Sequence, residues 1–310
     1  MSVTIKKIQY KTFGEALEIS NGSIEAVVTT DIGPLILRYA FVGGSNIMFN
    51  DDDGKRISEH PSFAEHYYEG AYWRNYGGNR LWVSPEKMPN TYYPYFNKVD
   101  VELLDNGAVF TQEPQTANGV ALKTKVVMDE EGNLTVTHNV KNITTEEKRL
   151  SAWSITVLNK GGLEIVPNND NDTGLLPNRR IVAWPYTNLA DDRVYIGKKY
   201  ITLRQDHNGD GAFKLGLDNR SGTAMYAVDD NVFVVKYEHD ENGEYDDFGC
   251  SFESYTNEEI LELETLSAVH YLAPGETVTH TEHWSLHKNS GTPCGKDEQA
   301  IDTFFNSYTK

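Results

Sequence analysis

Apolar and polar positions alternate with a period of two along most of the chain, and breaks rich in Gly, Asn and Asp recur every ten residues or so. That is the pattern of half-buried strands joined by tight turns. Residues 24–30 read as a strand, and 33–39 follow after a short turn. Segments 99–104 and 108–112 flank Asp105-Asn106-Gly107, a good tight-turn sequence, and 121–128 and 134–141 flank a second turn at 129–133. Further strands read at 149–158, 200–203, 223–227, 232–238, 250–255, 260–265 and 277–286. Helical periodicity is thin. Segment 296–308 places Ala300, Ile301, Phe304, Phe305 and Tyr308 on one face behind acidic residues, and a short helix reads at 62–69. Strands nowhere alternate with long amphipathic helices, so a β/α barrel or doubly wound sheet is disfavoured. The expectation is all-β: two large packed antiparallel sheets with a few short helices, one of them C-terminal. With no linker-like run and no repeat, residues 1–310 read as a single domain.

Charge narrows the partners. Lys plus Arg number 28 against 46 Asp plus Glu, a formal net charge of −18, which argues against nucleic acid and anionic membrane. No apolar run approaches the ~18 residues of a membrane-spanning helix. The first residues carry neither a continuous apolar core nor a small-residue cleavage site, so the expected location is cytoplasmic. Cys250 and Cys294 are too few for a disulfide framework and lack zinc spacing. They read as inert thiols.

Three groups of residues carry chemistry. Residues 72–86 (Tyr-Trp-Arg-Asn-Tyr-Gly-Gly-Asn-Arg-Leu-Trp-Val-Ser-Pro-Glu) gather aromatics, Arg74, Arg80, Asn79, Trp82 and Glu86 around the pair Gly77-Gly78. Aromatic faces stack on sugar C–H bonds while Arg, Asn and carboxylates bond hydroxyls, and adjacent glycines let backbone approach a ligand. The competing reading is a loop whose aromatics fill the end of a sandwich, with Arg80 paired to Glu86. In the second group, residues 260–266, alternation puts Glu262 and Glu264 on one strand face. Neighbouring carboxylates push one pKa upward, which suits acid–base work, unless that face meets water and the pair is only a solvated edge; Glu253, on the preceding strand, is the rival carboxylate. The third group is the histidines. His280 falls on the opposite strand face from His283 and His287, and no HxH or HExxH occurs, so a histidine metal site is not expected. Asp206, Asn208, Asp210 and Gly211 open like a calcium loop, but the twelfth position is Leu217 rather than Glu, so a turn is the simpler reading. Residues 168–173 are an oxygen-rich loop. No phosphate-cradling glycine motif or nucleophile elbow is present.

Five segments in this order resemble the galactose mutarotase-like superfamily, in a branch related to aldose 1-epimerases: 76–86, 150–156 with Gly161-Gly162, 176–186, 261–266, and Leu272-Ala273-Pro274-Gly275-Glu276 running into 281–284. The resemblance covers about residues 15–288. It implies a β-supersandwich with a sugar cleft on one sheet, a small-molecule sugar as partner, and no cofactor. Such enzymes take a proton from the anomeric hydroxyl with a glutamate and protonate the ring oxygen with a histidine. By position, Arg80 becomes the sugar-binding arginine, and the base is Glu264 or else Glu253. The strand expected to carry the acid histidine reads Ala152-Trp153-Ser154-Ile155-Thr156 instead. Trp153 can stack on a pyranose but cannot donate that proton. His207 and His270 are candidate substitutes, with Lys214 more remote; Lys214 and Glu262 also count among the substrate-binding residues. The resemblance implies an isomerase that interconverts sugar anomers by acid–base ring opening; the alternative is a non-catalytic sugar-binding or sugar-sensing protein, because the acid histidine is absent at Trp153-Ser154-Ile155. The isomerase requires a carboxylate and an acid about 5–7 Å apart across a cleft. Glycan cleavage is disfavoured by the lack of a helical domain and by the acidic charge.

Overall fold

The computed structural model describes residues 2–209 and 211–310. Two antiparallel sheets dominate. The first runs, in order of hydrogen-bonded neighbours, Thr4–Gln9, Glu15–Ser20, Ile24–Thr29, Ile36–Phe41, Gly78–Ser84, Lys148–Leu158, Leu261–Leu266, Phe252–Thr256, Phe213–Leu217 and Ile181–Ala183, with His270–Leu272 pairing off one end of Lys148–Leu158. The second runs Val194–Ile196, Tyr200–Arg204, Leu163–Pro167, Thr223–Val228, Asn231–Tyr237, Thr277–Lys288, Leu134–Asn142, Val120–Met128, Gly107–Thr111 and Asp100–Leu104. The sheets bury their alternate residues against each other. Leu17, Ile19, Val28, Phe213, Phe252 and Leu263 of the first meet Phe110, Val136, Phe233 and Trp284 of the second, the inner-face packing of a β-sandwich. The all-β expectation holds.

Other apolar clusters cover the outer faces. The C-terminal helix is Glu298–Thr309, close to the expected 296–308; Asp297 caps it by accepting from the Gln299 and Ala300 amides at 3.1 Å. It lays Ile301, Phe304 and Phe305 on Leu163, Met225 and Val234 of the second sheet. On the outer face of the first sheet Tyr10, Phe13, Trp73, Tyr76, Trp82 and Trp153 form an aromatic cluster. The short helix Pro61–His66 delivers buried Phe63 to it and ends three residues before the expected boundary.

One segment differs in kind from its expectation. Gly78–Ser84 is no loop: it is a central strand, paired along Lys148–Leu158. Gly77 and Gly78 serve the sheet rather than a ligand. Both have positive φ (89° and 63°), and a Cβ there would lie 2.1 Å from the Phe49 carbonyl oxygen and 2.2 Å from that of Ile36. Only glycine fits that approach of backbone to backbone.

Candidate functional site

The central strands of the first sheet hold the site through their register. Ile155 stands opposite both Arg80 and Glu264, Glu264 is opposite Glu253, and Glu253 is opposite Gly216. The next row places Val157, Glu262, Tyr255 and Lys214 side by side, and a third sets Trp153 against Trp82. Directly opposed residues share a face. These rows therefore gather Arg80, Trp82, Trp153, Lys214, Glu262 and Glu264 on the outer face, where they line a cleft of about 600 Å³. Tyr92, Tyr186, Tyr255, Asn75, Asn257, Glu86 and the pair Arg56 and Glu259 complete its walls.

Each cation in the cleft already faces an anion. The Arg80 guanidinium donates to Glu262 Oε1 at 3.2 Å, and Asn75 Nδ2 donates to the same oxygen at 3.2 Å. Arg80 also lies over the Trp82 ring, 4.4 Å from its centroid, and 5.3 Å from that of Trp73, a cation–π arrangement that fixes a flat group. Lys214 Nζ lies 2.7 Å from Glu253 Oε2 and 3.0 Å from Glu264 Oε2, with its ammonium 4.9 Å from the Trp153 and Trp184 ring centroids. The Trp153 indole N–H donates to Glu264 Oε2 at 2.9 Å. Arg56 pairs with Glu259, and Lys55 with Asp53 at 2.7 Å. Burial works against the charge on Lys214, but Glu264 and Glu253 outweigh it and hold its pKa well above the ordinary lysine value. Burial pushes both Glu253 and Glu264 upward, Lys214 pulls them back, and a neighbouring carboxylate adds to the rise in each. Glu253 is fully buried beneath the lysine, and burial pushes its pKa well up.

The sequence candidates separate cleanly. Arg80, Trp82, Glu86, Trp153, Lys214, Glu262 and Glu264 come together at the cleft. Glu253 touches it only through Lys214. Asn79 points the other way, between the sheets, and donates to Ser154 and Thr156 hydroxyls at 2.8 and 3.1 Å; strand alternation forces this, since Arg80 occupies the outer face. Arg74 is held by Asp51 at 2.8 Å and packs on Tyr76 instead of entering the cleft. Arg80 pairs with Glu262 rather than Glu86, which takes the Tyr92 hydroxyl.

Neither histidine candidate reaches the site. His207 is 73 % exposed in a turn beside Asp206, and His270 is exposed on the short strand paired with Leu150. Among the described residues lining the cleft there is no histidine. Within 206–211, Asp206 accepts from the Asn208 amide at 2.9 Å, as in a turn; Asp210 of that calcium-loop expectation lies outside the described residues. Among the described residues no group of three or more His, Cys, Asp or Glu could hold a metal ion, and no helix is long and apolar enough to cross a membrane.

Tyr186, Tyr255, Arg56 and Glu259 are cleft residues that motif reading passed over. Tyr255 was within reach, because alternation from Glu253 puts it on the same face. Arg56 sits in an irregular segment with no period to read.

This architecture has relatives among solved structures. A galactose mutarotase-like protein from Lactobacillus casei matches with a TM-score of 0.57 at 13 % identity, over 88 % of this chain and 100 % of that one. The fold is that of the galactose mutarotase-like proteins. Galactose 1-epimerase from Lactobacillus acidophilus aligns with a TM-score of 0.50 and 12 % identity over 93 % of this chain and 100 % of its own. A TPR-domain containing protein from Parabacteroides distasonis gives 0.59 at 13 % identity; this chain covers 51 % of it and 94 % of itself is matched. No family model and no curated protein matches the sequence. At such identities the galactose mutarotase-like likeness establishes the fold, and function rests on the cleft.

Proposed function

We propose that the cleft binds a neutral carbohydrate. The observation that carries this reading is the pairing of every cleft cation with a carboxylate beside aromatic walls: Arg80 with Glu262, Lys214 with Glu264, Arg56 with Glu259 and Lys55 with Asp53, flanked by Trp82, Trp153, Tyr186 and Tyr255. Paired ions offer donors and acceptors together, which matches hydroxyl groups, and they leave no surplus positive charge for a phosphate. Trp82 and Trp153, buried beneath Arg80 and Lys214, hold those cations in place, and the more exposed Tyr186 and Tyr255 supply the apolar contact that a pyranose ring accepts.

A second reading is anomer interconversion, with Glu264 as base and Lys214 as proton donor, and its support is that both line the cleft. Against it, the two are in direct contact at 3.0 Å instead of flanking a sugar-sized gap, and a lysine held this strongly protonated is a poor acid.

Saturation-transfer NMR on hexoses, pentoses and their 6-phosphates tests binding, and anomeric exchange in the same tubes tests catalysis. Neutral sugars are expected to receive saturation, lost in Tyr186→Ala, with no acceleration of exchange. Binding of phosphosugars alone, or of no sugar, overturns the proposal; acceleration that disappears in Glu264→Gln establishes the second reading.

A further inference from the structure

Beside the cleft the chain does something costly. In the turn Asp246–Gly249, Asp247 (φ 50°, ψ 51°) and Phe248 (φ 62°, ψ 24°) are consecutive left-handed residues, followed by Gly249 at φ 91°. For a side chain as bulky as Phe this is a sterically poor conformation, and the ring gains little from it inside the protein, since Phe248 is 89 % exposed. Neither burial nor backbone preference explains the residue.

The turn is not loose. Asp246 is tied to Arg149 at 2.7 Å and to Ser84 at 3.0 Å, the Cys250 amide donates to the Asp246 carbonyl at 2.9 Å, and Arg180 donates to the Gly249 carbonyl at 2.9 Å. Its place is the end of the cleft. Cys250 packs across Gly216 next to Trp184, where a Cβ on that glycine would meet Cys250 Sγ at 2.4 Å and the Trp184 ring at 3.1 Å; Trp184 in turn faces Lys214. The contact of Cys250 with Trp184, and of Trp184 with Lys214, sets the turn that carries Phe248 at the Lys214 end of the cleft, the end that Tyr186, half-exposed, also lines. Its chain neighbours Asp246 and Asp247, and the Arg180 that binds the turn, are polar, so Phe248 is a single apolar side chain of its turn and not part of the contiguous apolar patch of a protein interface. A lone rigid aromatic at the mouth of a polar cleft fits the C–H face of another sugar ring. The cleft itself, at about 600 Å³, is mid-range for sites that enclose molecules of drug size, and one pyranose leaves part of it empty.

We propose that Phe248 is a second sugar platform, and that the ligand is an oligosaccharide extending from the cleft floor at Trp82 and Trp153 past Tyr186 onto Phe248. This rests on the carbohydrate reading above and names its substrate class. Backbone strain held at a solvent-facing aromatic is the cost of presenting it.

Titration calorimetry with matched series tests it: glucose, maltose and maltotriose; glucose, cellobiose and cellotriose; xylose, xylobiose and xylotriose. In at least one series the trisaccharide is expected to bind about tenfold more tightly than the monosaccharide, the weight of one aromatic contact. Phe248→Gly should bring that ratio close to one while raising the melting temperature, because glycine accepts the left-handed backbone. Phe248→Trp should keep the ratio. A structural role predicts the opposite thermal result for Phe248→Gly, a lowered melting temperature. Monosaccharide binding with no gain for longer chains, or a gain that survives Phe248→Gly, overturns the platform and leaves the carbohydrate reading standing. Absence of binding throughout overturns both.

Discussion

The two faces of the same central strands bury polar groups in opposite ways. Arg80, Trp153 and Glu264 point to the cleft, with Glu253 on the same face beneath Lys214, while their chain neighbours Asn79, Ser154, Ser254 and Thr265 point between the sheets. On the cleft face the solution is formal charge in pairs. Between the sheets it is hydrogen bonding to hydroxyl, indole and imidazole groups, with no Lys or Arg among the partners of Glu282. The Thr265 and Ser154 hydroxyls bond the two oxygens of Glu282 at 2.5 and 3.0 Å, and the Trp284 indole N–H adds a third bond at 3.1 Å. His280 reaches Thr265 at 2.7 Å and His138 reaches Ser154 at 3.2 Å. Burial keeps both imidazoles neutral, down to about 3 for His138 and about 4 for His280, and pushes the Glu282 carboxyl up. Glu164, bonded by Ser254 in the same layer, is pushed up to about 8, chiefly by burial. An enclosed layer is stable without cations when hydroxyls join its carboxyls to its imidazoles. A face that must meet a ligand keeps its charges, each with a partner.

That contrast breaks most visibly at Lys214. Lys214→Met leaves Glu253 and Glu264 buried without their cation, and the expected loss is about 3–5 kcal/mol at pH 7, read by urea denaturation. The loss should shrink toward pH 5. With the lysine gone the folded pKa values of both carboxyls rise further, so the stability they allow is present at low pH and is lost as pH climbs through those values. A pH-independent loss would mean that Lys214 acts as packing and that the cleft ions are not a charge-balanced set. Glu264→Gln, which keeps the lysine paired with Glu253, should cost far less.

Much of this contrast was legible beforehand, and the exceptions have physical reasons. Alternation in 260–266 placed Glu262 and Glu264 on one face, where both now line the cleft. The Gly78–Ser84 strand escaped because it is polar on both sides, with Asn79 in the interior layer and Arg80 in the cleft, so no apolar period marks it. Lys214 could be named only as a remote candidate. Its partnership with Glu253 and Glu264 depends on the register of three strands distant in sequence, and no local pattern encodes that. The histidines misled for a related reason: His207 and His270 are near cleft residues in sequence but sit on a turn and a short outlying strand. His138 and His280, in strands of the second sheet, are the ones built into the interior.

The interior half of the comparison can be sharpened at Glu282. If the layer is neutral, Glu282→Gln should cost about 0.5–1.5 kcal/mol, the scale of one altered hydrogen bond. Glu282→Leu orphans the Trp284 N–H and two hydroxyls and should cost more, about 1–3 kcal/mol for the buried N–H alone. Urea denaturation of the two variants at one pH separates them. Equal losses would mean that an ionised carboxylate, not a neutral hydrogen-bonding group, is what the layer needs.

The last effect is absent at neutral pH and grows only in acid. His138 and His280 stay unprotonated in the fold down to about 3 and about 4, whereas in the unfolded chain they take up protons below their ordinary value near 6.5. The unfolded state therefore binds more protons in this window. The stability tied to neutral imidazole is complete above pH 6.5 and drains away as pH falls toward 4 for His280 and 3 for His138. Each histidine contributes a limiting slope of about 1.4 kcal/mol per pH unit. Glu282 tilts the other way, since a raised carboxyl pKa favours the fold in acid, and the cleft carboxyls titrate in the same range. The quantity to measure is therefore the difference between the protein and His138→Gln, by urea denaturation from pH 7 to pH 4.5. It should close steadily toward acid, because the variant has one fewer proton to exclude. A constant difference across that range would place a charged imidazole inside the sandwich and dissolve the distinction between the neutral layer and the ionic cleft.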